Sequence, residues 1–108
     1  VVCVFQPHLY SRTKFFYAEF AEILGEFDIA IVTEIYASRE DAIPGVDAGL
    51  IVEHARKSGD DHVVLVSEMD DVPGGLIPQL EKGDVVLVLG AGDVNRIVPT
   101  LLERLADA

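Results

Sequence analysis

Four strand-sized apolar runs, separated by stretches with helical periodicity, leave this chain few ways to fold. The runs are Val1-Val2-Cys3-Val4-Phe5, Ile29-Ala30-Ile31-Val32, Val63-Val64-Leu65-Val66 and Val85-Val86-Leu87-Val88-Leu89. Each is continuous rather than alternating, the pattern of strands covered on both faces in a parallel sheet. The first reads as a central strand and the last as the clearest buried strand of all. Regular alternation of strand and helix predicts a layered α/β fold with a mainly parallel sheet and right-handed crossovers. The 108 residues suffice for one domain, residues 1–108, and leave no room for two.

The helical stretches follow the same logic. Phe15, Phe16, Ala18, Phe20, Ile23 and Leu24 form an apolar stripe at three- and four-residue spacing, with Ser11 expected as its cap and Gly25 as its end. The aromatics of this stripe, Tyr17 included, read as the bulk a helix needs against a sheet. Val46, Leu50, Ile51 and Ala55 mark a second helix, closed by Arg56, Lys57 and Gly59. Pro73-Gly74-Gly75 is expected to be a flexible hinge before a short helix from Leu76 to Leu80. Val94, Ile97, Val98, Leu101, Leu102 and Leu105 form the last stripe, and Pro99 within it requires a start about one turn earlier or a kink.

Charge and cysteine usage exclude several functions. Eight basic residues stand against nineteen acids, a formal charge of -11, which disfavours nucleic acid and anionic membrane surfaces because both demand a basic footprint. The one cysteine, Cys3, rules out an internal disulfide and leaves too few soft ligands for zinc. The apolar runs are too short to span a membrane, and the opening lacks the basic flank of a signal peptide, so a cytoplasmic protein is expected. Val1 already lies inside a strand pattern, which suggests that further chain precedes it.

In parallel sheets ligands sit beyond the carboxyl ends of the strands. Those ends gather residues 6–13, 34–41, 67–71 and 90–93 onto one edge, where most of the unusual polar residues fall. The first of these loops, Gln6-Pro7-His8-Leu9-Tyr10-Ser11-Arg12-Thr13, opens a helix and carries His8 and Arg12, a donor set suited to a carboxylate or phosphate. Asp70 and Asp71 are adjacent, so their carboxylates point apart and read as a solvated loop or helix cap rather than a metal site. Gly90-Ala91-Gly92-Asp93 is half a dinucleotide fingerprint, with Asn95 at the third glycine position, and a tight turn capped by Asp93 explains it equally well. No Gly-rich phosphate loop with Lys-Ser/Thr, nucleophile elbow or Ser/His/Asp set is present.

Phe5-Gln6-Pro7-His8-Leu9-Tyr10-Ser11-Arg12-Thr13 resembles a motif of the C-terminal domain of the Mur ligases, in the alanine-adding branch of that family. Ile35-Tyr36-Ala37-Ser38-Arg39-Glu40 with Ile43-Pro44-Gly45-Val46 resembles the family's next loop, and Val88-Leu89-Gly90-Ala91-Gly92-Asp93 its late glycine turn. The resemblance implies a Rossmann-like three-layer domain of an ATP-dependent ligase of peptidoglycan synthesis. There UDP-N-acetylmuramate is activated as an acyl phosphate and the L-alanine amine attacks it, with ATP and Mg2+ bound mainly by a central domain. This chain resembles the third domain, so its own N-terminal and central domains are the implied partners, no cofactor is expected within it, and the stretch alone is expected to be inactive.

The resemblance also implies site residues. The family's arginines in the first motif lie near the amino acid's carboxylate; Arg12 matches the second, while Leu9 stands in place of the first. Arg12 with His8 is thus left to hold the carboxylate, and Tyr36, Arg39 and Glu40 line the interdomain cleft. No catalytic residue and no metal ligand is implied. Two other readings stay open: a free-standing nucleotide-binding or interaction module using the same edge without catalysis, and a sister ligase that adds a whole peptide to recovered muramate.

Overall fold

In the computed structural model, which describes residues 1–90 and 93–106, four parallel strands form one sheet in the order β3-β2-β1-β4. The strands are β1 (Val2–Phe5), β2 (Ile29–Val32), β3 (Val63–Leu65) and β4 (Val86–Leu89), and the helices are α1 (Tyr10–Leu24), α2 (Gly49–Lys57), α3 (Val72–Leu76) and α4 (Ile97–Ala106). Short 3-10 turns at Met69–Asp71, Ile77–Gln79 and Asp93–Arg96 complete the path. β1 is central, paired in register with β2 from Val2↔Ile29 to Phe5↔Val32 and with β4 from Val2↔Val86 to Phe5↔Leu89.

Strand order explains the layers. The chain winds one way from β1 to β3, then crosses back over β2 and β1 to β4. Right-handed crossovers in opposite directions put their helices on opposite faces. Accordingly α1 and α2 cover one face, where Cys3, Ala30, Val32 and Val63 meet Ala21, Leu24, Ile51 and Ala55. α3 and α4 cover the other, where Val2, Val4 and Ile31 meet Val72, Leu76, Ile97 and Leu101. The expected Rossmann-like three-layer arrangement is what forms. Cys3 is fully buried, and burial pushes its thiol up to about 11, an inert core group.

Several local expectations are corrected. β4, read as the most buried strand, lies at a sheet edge and alternates: Val86 and Val88 pack on the α3/α4 side, while Leu87 and Leu89 remain 40% and 43% exposed because neither α1 nor α2 reaches over them. On α1, Phe15, Phe16 and Ile23 of the expected stripe point to solvent, while its Leu24 is buried and its Phe20 partly covered, on a face that also carries buried Thr13 and Ala21 and partly covered Tyr10 and Tyr17. Helical spacing does not say which part of this apolar surface is covered, and the docking of α1 over β1 and β2 does. Pro73-Gly74-Gly75 is not a hinge: Pro73 occupies the first turn of α3, where its missing N–H has no partner to lose. Pro99 likewise falls in the first turn of α4 after the 3-10 turn, so no kink is needed. The Ala91-Gly92 part of the glycine turn and the cap expected from the Asp93 side chain lie outside what the structure describes.

Winding reverses between β1 and β4, and that point is filled from within. The Gln6 side chain is buried, and its Oε1 accepts a hydrogen bond from the Val94 backbone N–H at 3.2 Å. A Cβ at Gly90 would stand 2.6 Å from Val94 Cγ1, 3.0 Å from Gln6 Cβ and 3.3 Å from the Gln6 carbonyl oxygen. Gly90→Ala is expected to destabilise the domain by about 1–3 kcal/mol through overpacking. Measured by urea denaturation, the loss should be less than additive with Val94→Ala, because the second change removes the stiff γ-carbon that the new methyl meets.

Candidate functional site

The loops after β1 and β2 are stitched to one another before either reaches its helix. Tyr36 N–H donates to the Pro7 carbonyl at 2.8 Å, and Leu9 N–H donates to the Tyr36 carbonyl at 2.9 Å, a single step of parallel pairing beyond the strands. The His8 and Tyr36 rings stack over this link, 5.9 Å between centroids and 25° between planes. Leu9 then turns the chain into α1 with φ +70°, an uncommon conformation for a residue with a side chain. Its carbonyl accepts two bonds from the fully buried Thr13, the backbone N–H at 3.1 Å and Oγ1–H at 3.0 Å.

The helix cap differs from the sequence expectation. Ser11 lies inside α1, whose N-cap position is Leu9, without a side-chain acceptor of its own. The missing acceptor arrives from the other loop. Ser11 N–H donates to Glu40 Oε1 at 3.0 Å and Ser11 Oγ–H to Glu40 Oε2 at 2.6 Å. Glu40 is brought there by a turn closed between its own N–H and the Ala37 carbonyl, 2.9 Å, around Ser38 at φ +57°. The Ser11 hydroxyl, aided by the backbone N–H groups of Ser11 and Tyr10 and by nearby His8, holds the Glu40 carboxyl below the usual range, against an opposing push from desolvation.

The structure therefore brings His8, Tyr36, Glu40 and the first turn bearing Arg12 into one cluster. Arg12 and Arg39 are exposed at its rim, neither in an ion pair with another described residue. Tyr36 also lines a cleft of about 380 Å³ on the same edge, whose walls include Gln6, Glu34, Ser67, Asp70 and Arg96. Arg12, His8, Arg39 and Glu40 do not line it. A larger groove of about 730 Å³ beside α2 and β3 contains none of the candidate site residues.

Sequence reasoning missed Arg96. It enters the cleft from the 3-10 turn after β4 and places Nη2 3.8 Å from Asp70 Oδ1. The signal available was that it is the one cation between Lys82 and Arg104, directly after a strand-end glycine turn. Asp70 and Asp71 sit on a 3-10 turn, and among the described residues no group of three His, Cys, Asp or Glu side chains could hold a metal.

Because its pKa is lowered on folding, Glu40 stabilises the joined loops fully above the ordinary glutamate pKa and loses that contribution as pH falls through the lowered value. Carboxyl carbon NMR should show Glu40 titrating below the usual glutamate range, and Ser11→Ala should move the midpoint upward. An unmoved midpoint would contradict the assigned hydrogen bond.

Comparison with known proteins bears on what this edge serves. A family model described as "Mur ligase, glutamate ligase domain" matches residues 1–92. A UDP-N-acetylmuramate–L-alanine ligase of Streptomyces griseus is 41% identical over 106 residues, covering 98% of this chain and 22% of that protein. Proteins with the same name from Salinibacter ruber and Thermobifida fusca are 45% and 44% identical over 105 residues, 97% of this chain and 22% of theirs. The chain thus spans about a fifth of the length of these relatives. With most of its residues matched by the family model and its sheet wound as described, the chain belongs to the Mur ligase family as a glutamate ligase domain.

Proposed function

We propose that this chain is the C-terminal domain of an ATP-dependent ligase that joins L-alanine to UDP-N-acetylmuramate in peptidoglycan synthesis, and that its task is to hold the amino acid. The observation that carries this reading is the identity of over 40% across nearly the whole chain to proteins of that name, together with a strand-end edge that presents Arg12 and His8. In this reading the Arg12 guanidinium takes the alanine carboxylate by charge-assisted hydrogen bonds, with His8 beside it. Tyr36 fixes the His8 ring by stacking on it, and Arg39 stands at the rim facing the rest of the enzyme. Held by its carboxylate, the alanine offers its amine in one direction, which lowers the entropic part of the barrier to attack.

ATP and Mg2+ are assigned to the rest of the protein. Residues here do not fit them: the sequence has no Gly-rich loop ending in Lys-Ser/Thr, and no described acidic or His cluster suits a cation. The muramoyl substrate and the N-terminal and central domains are the partners that this reading requires. No described helix is long and apolar enough to cross a membrane, and we assign the enzyme to the cytoplasm, where its nucleotide substrates are found.

Replacing Arg12 by Ala in the full-length protein is expected to raise KM for L-alanine by about 10- to 100-fold, the loss of one charge-assisted, orienting contact. KM for ATP should stay within about twofold. Unchanged affinity for alanine would remove Arg12 from the role. A full-length protein that ligates an intact peptide but not alanine would replace the substrate assignment, and one that ligates neither would favour a binding module.

A further inference from the structure

We infer that Glu40 is a positioning residue: bonded to Ser11, it locks the Arg12-bearing turn of α1 to the loop after β2, so that the amino-acid clamp is preformed. This rests on the alanine-ligase reading and goes beyond it, since Glu40 touches the clamp only through another residue.

Three independent links join the two loops, and two of them lie upstream of α1. The Pro7–Tyr36–Leu9 backbone exchange and the His8–Tyr36 stack fix the chain up to residue 9. Beyond it α1 begins, and a helix start leaves its first N–H groups without internal partners. Leu9 has no side-chain acceptor: the buried Thr13 anchors the far side of the first turn to the Leu9 carbonyl, but the Ser11 N–H beside Arg12 has no acceptor from its own loop. Glu40 supplies the acceptor at that spot: both oxygens are engaged, by the N–H and the hydroxyl of the residue directly before Arg12. A carboxylate at a helix N-terminus also meets the positive end of the helix dipole.

Both oxygens of the Glu40 carboxylate face α1, and Glu40 contributes nothing to the wall of the neighbouring cleft. Its exposed neighbour Arg39 therefore sits on a turn held from inside by Glu40 and from outside by nothing described. The same bond thus holds the backbone beside two cations, Arg12 in the first turn of α1 and Arg39 in the loop after β2. A mobile arginine would have to be ordered by the substrate at the moment of binding, and that ordering cost would weaken affinity for a ligand as small as alanine.

The test uses the full-length enzyme with Glu40→Ala, Ser11→Ala and the double variant, measuring kcat and KM for each of the three substrates together with thermal unfolding. Glu40→Ala is expected to raise KM for L-alanine about 10-fold, and Ser11→Ala about threefold because the backbone N–H remains as a donor. The double variant should be no worse than Glu40→Ala alone, since the two side chains act through one contact. KM for ATP and for UDP-N-acetylmuramate should stay within about twofold, a selectivity that general loosening of the domain would not produce. Unchanged KM for alanine in Glu40→Ala, a parallel rise for all three substrates, or an additive double variant would each overturn the inference. A wild-type enzyme inactive with alanine would overturn the functional reading instead, which separates the two failures.

Discussion

Parallel pairing of β1 with β2 on one side and β4 on the other places the end of β1 where the winding of the sheet reverses. In open α/β sheets that reversal usually leaves a crevice for a ligand. Here part of it is filled by the chain itself, and Gln6 also lines the cleft that Arg96 enters. Gln6 is buried across it, hydrogen-bonded to Val94, and Gly90 leaves space for no side chain. Polar groups at this edge are spread along the loops, with Glu34, Ser67, Asp70 and Arg96 in the cleft and His8, Arg12, Arg39 and Glu40 beside it.

Both loops that form this edge carry a non-glycine residue with positive φ, Leu9 at 70° and Ser38 at 57°. Such conformations cost of order 1–3 kcal/mol and persist where surrounding bonds over-determine them. Around Leu9 those bonds are explicit. Its N–H goes to Tyr36 and its carbonyl takes both donors of Thr13. The backbone of residue 9 closes the loop, whereas its side chain enters none of these bonds. This is a physical reason why leucine can stand where the family resemblance expects an arginine without altering the path of the chain.

Much of the fold could be read from hydrophobic pattern. Four apolar runs became four parallel strands, and the loops at residues 6–13, 34–41 and 67–71 met on one edge, because a continuous apolar run followed by a helix permits few other arrangements. The errors fall where a pattern has two solutions. Phe15, Phe16 and Ile23 read as one apolar stripe with Phe20 and Leu24, yet only the last two are covered, and Leu87 and Leu89 look as buried in sequence as Val86 and Val88. Helical or strand period identifies faces, not which face is covered. Coverage depends on where neighbouring elements land.

The candidate site divides the same way. Residue identities by themselves determined that a strand-end turn would carry His8 and Arg12, since the chemistry of those side chains and the start of a helix are local properties. Only the tertiary structure decided that Ser11 is not the cap of its own helix and that Glu40, 29 residues away in the chain, takes that part. It also decided that Arg96 enters the cleft from the turn after β4. The reason is that caps, clamps and clefts are made by loops that parallel strand order brings together, and the distance between two loop residues is not encoded in the periodicity of either one.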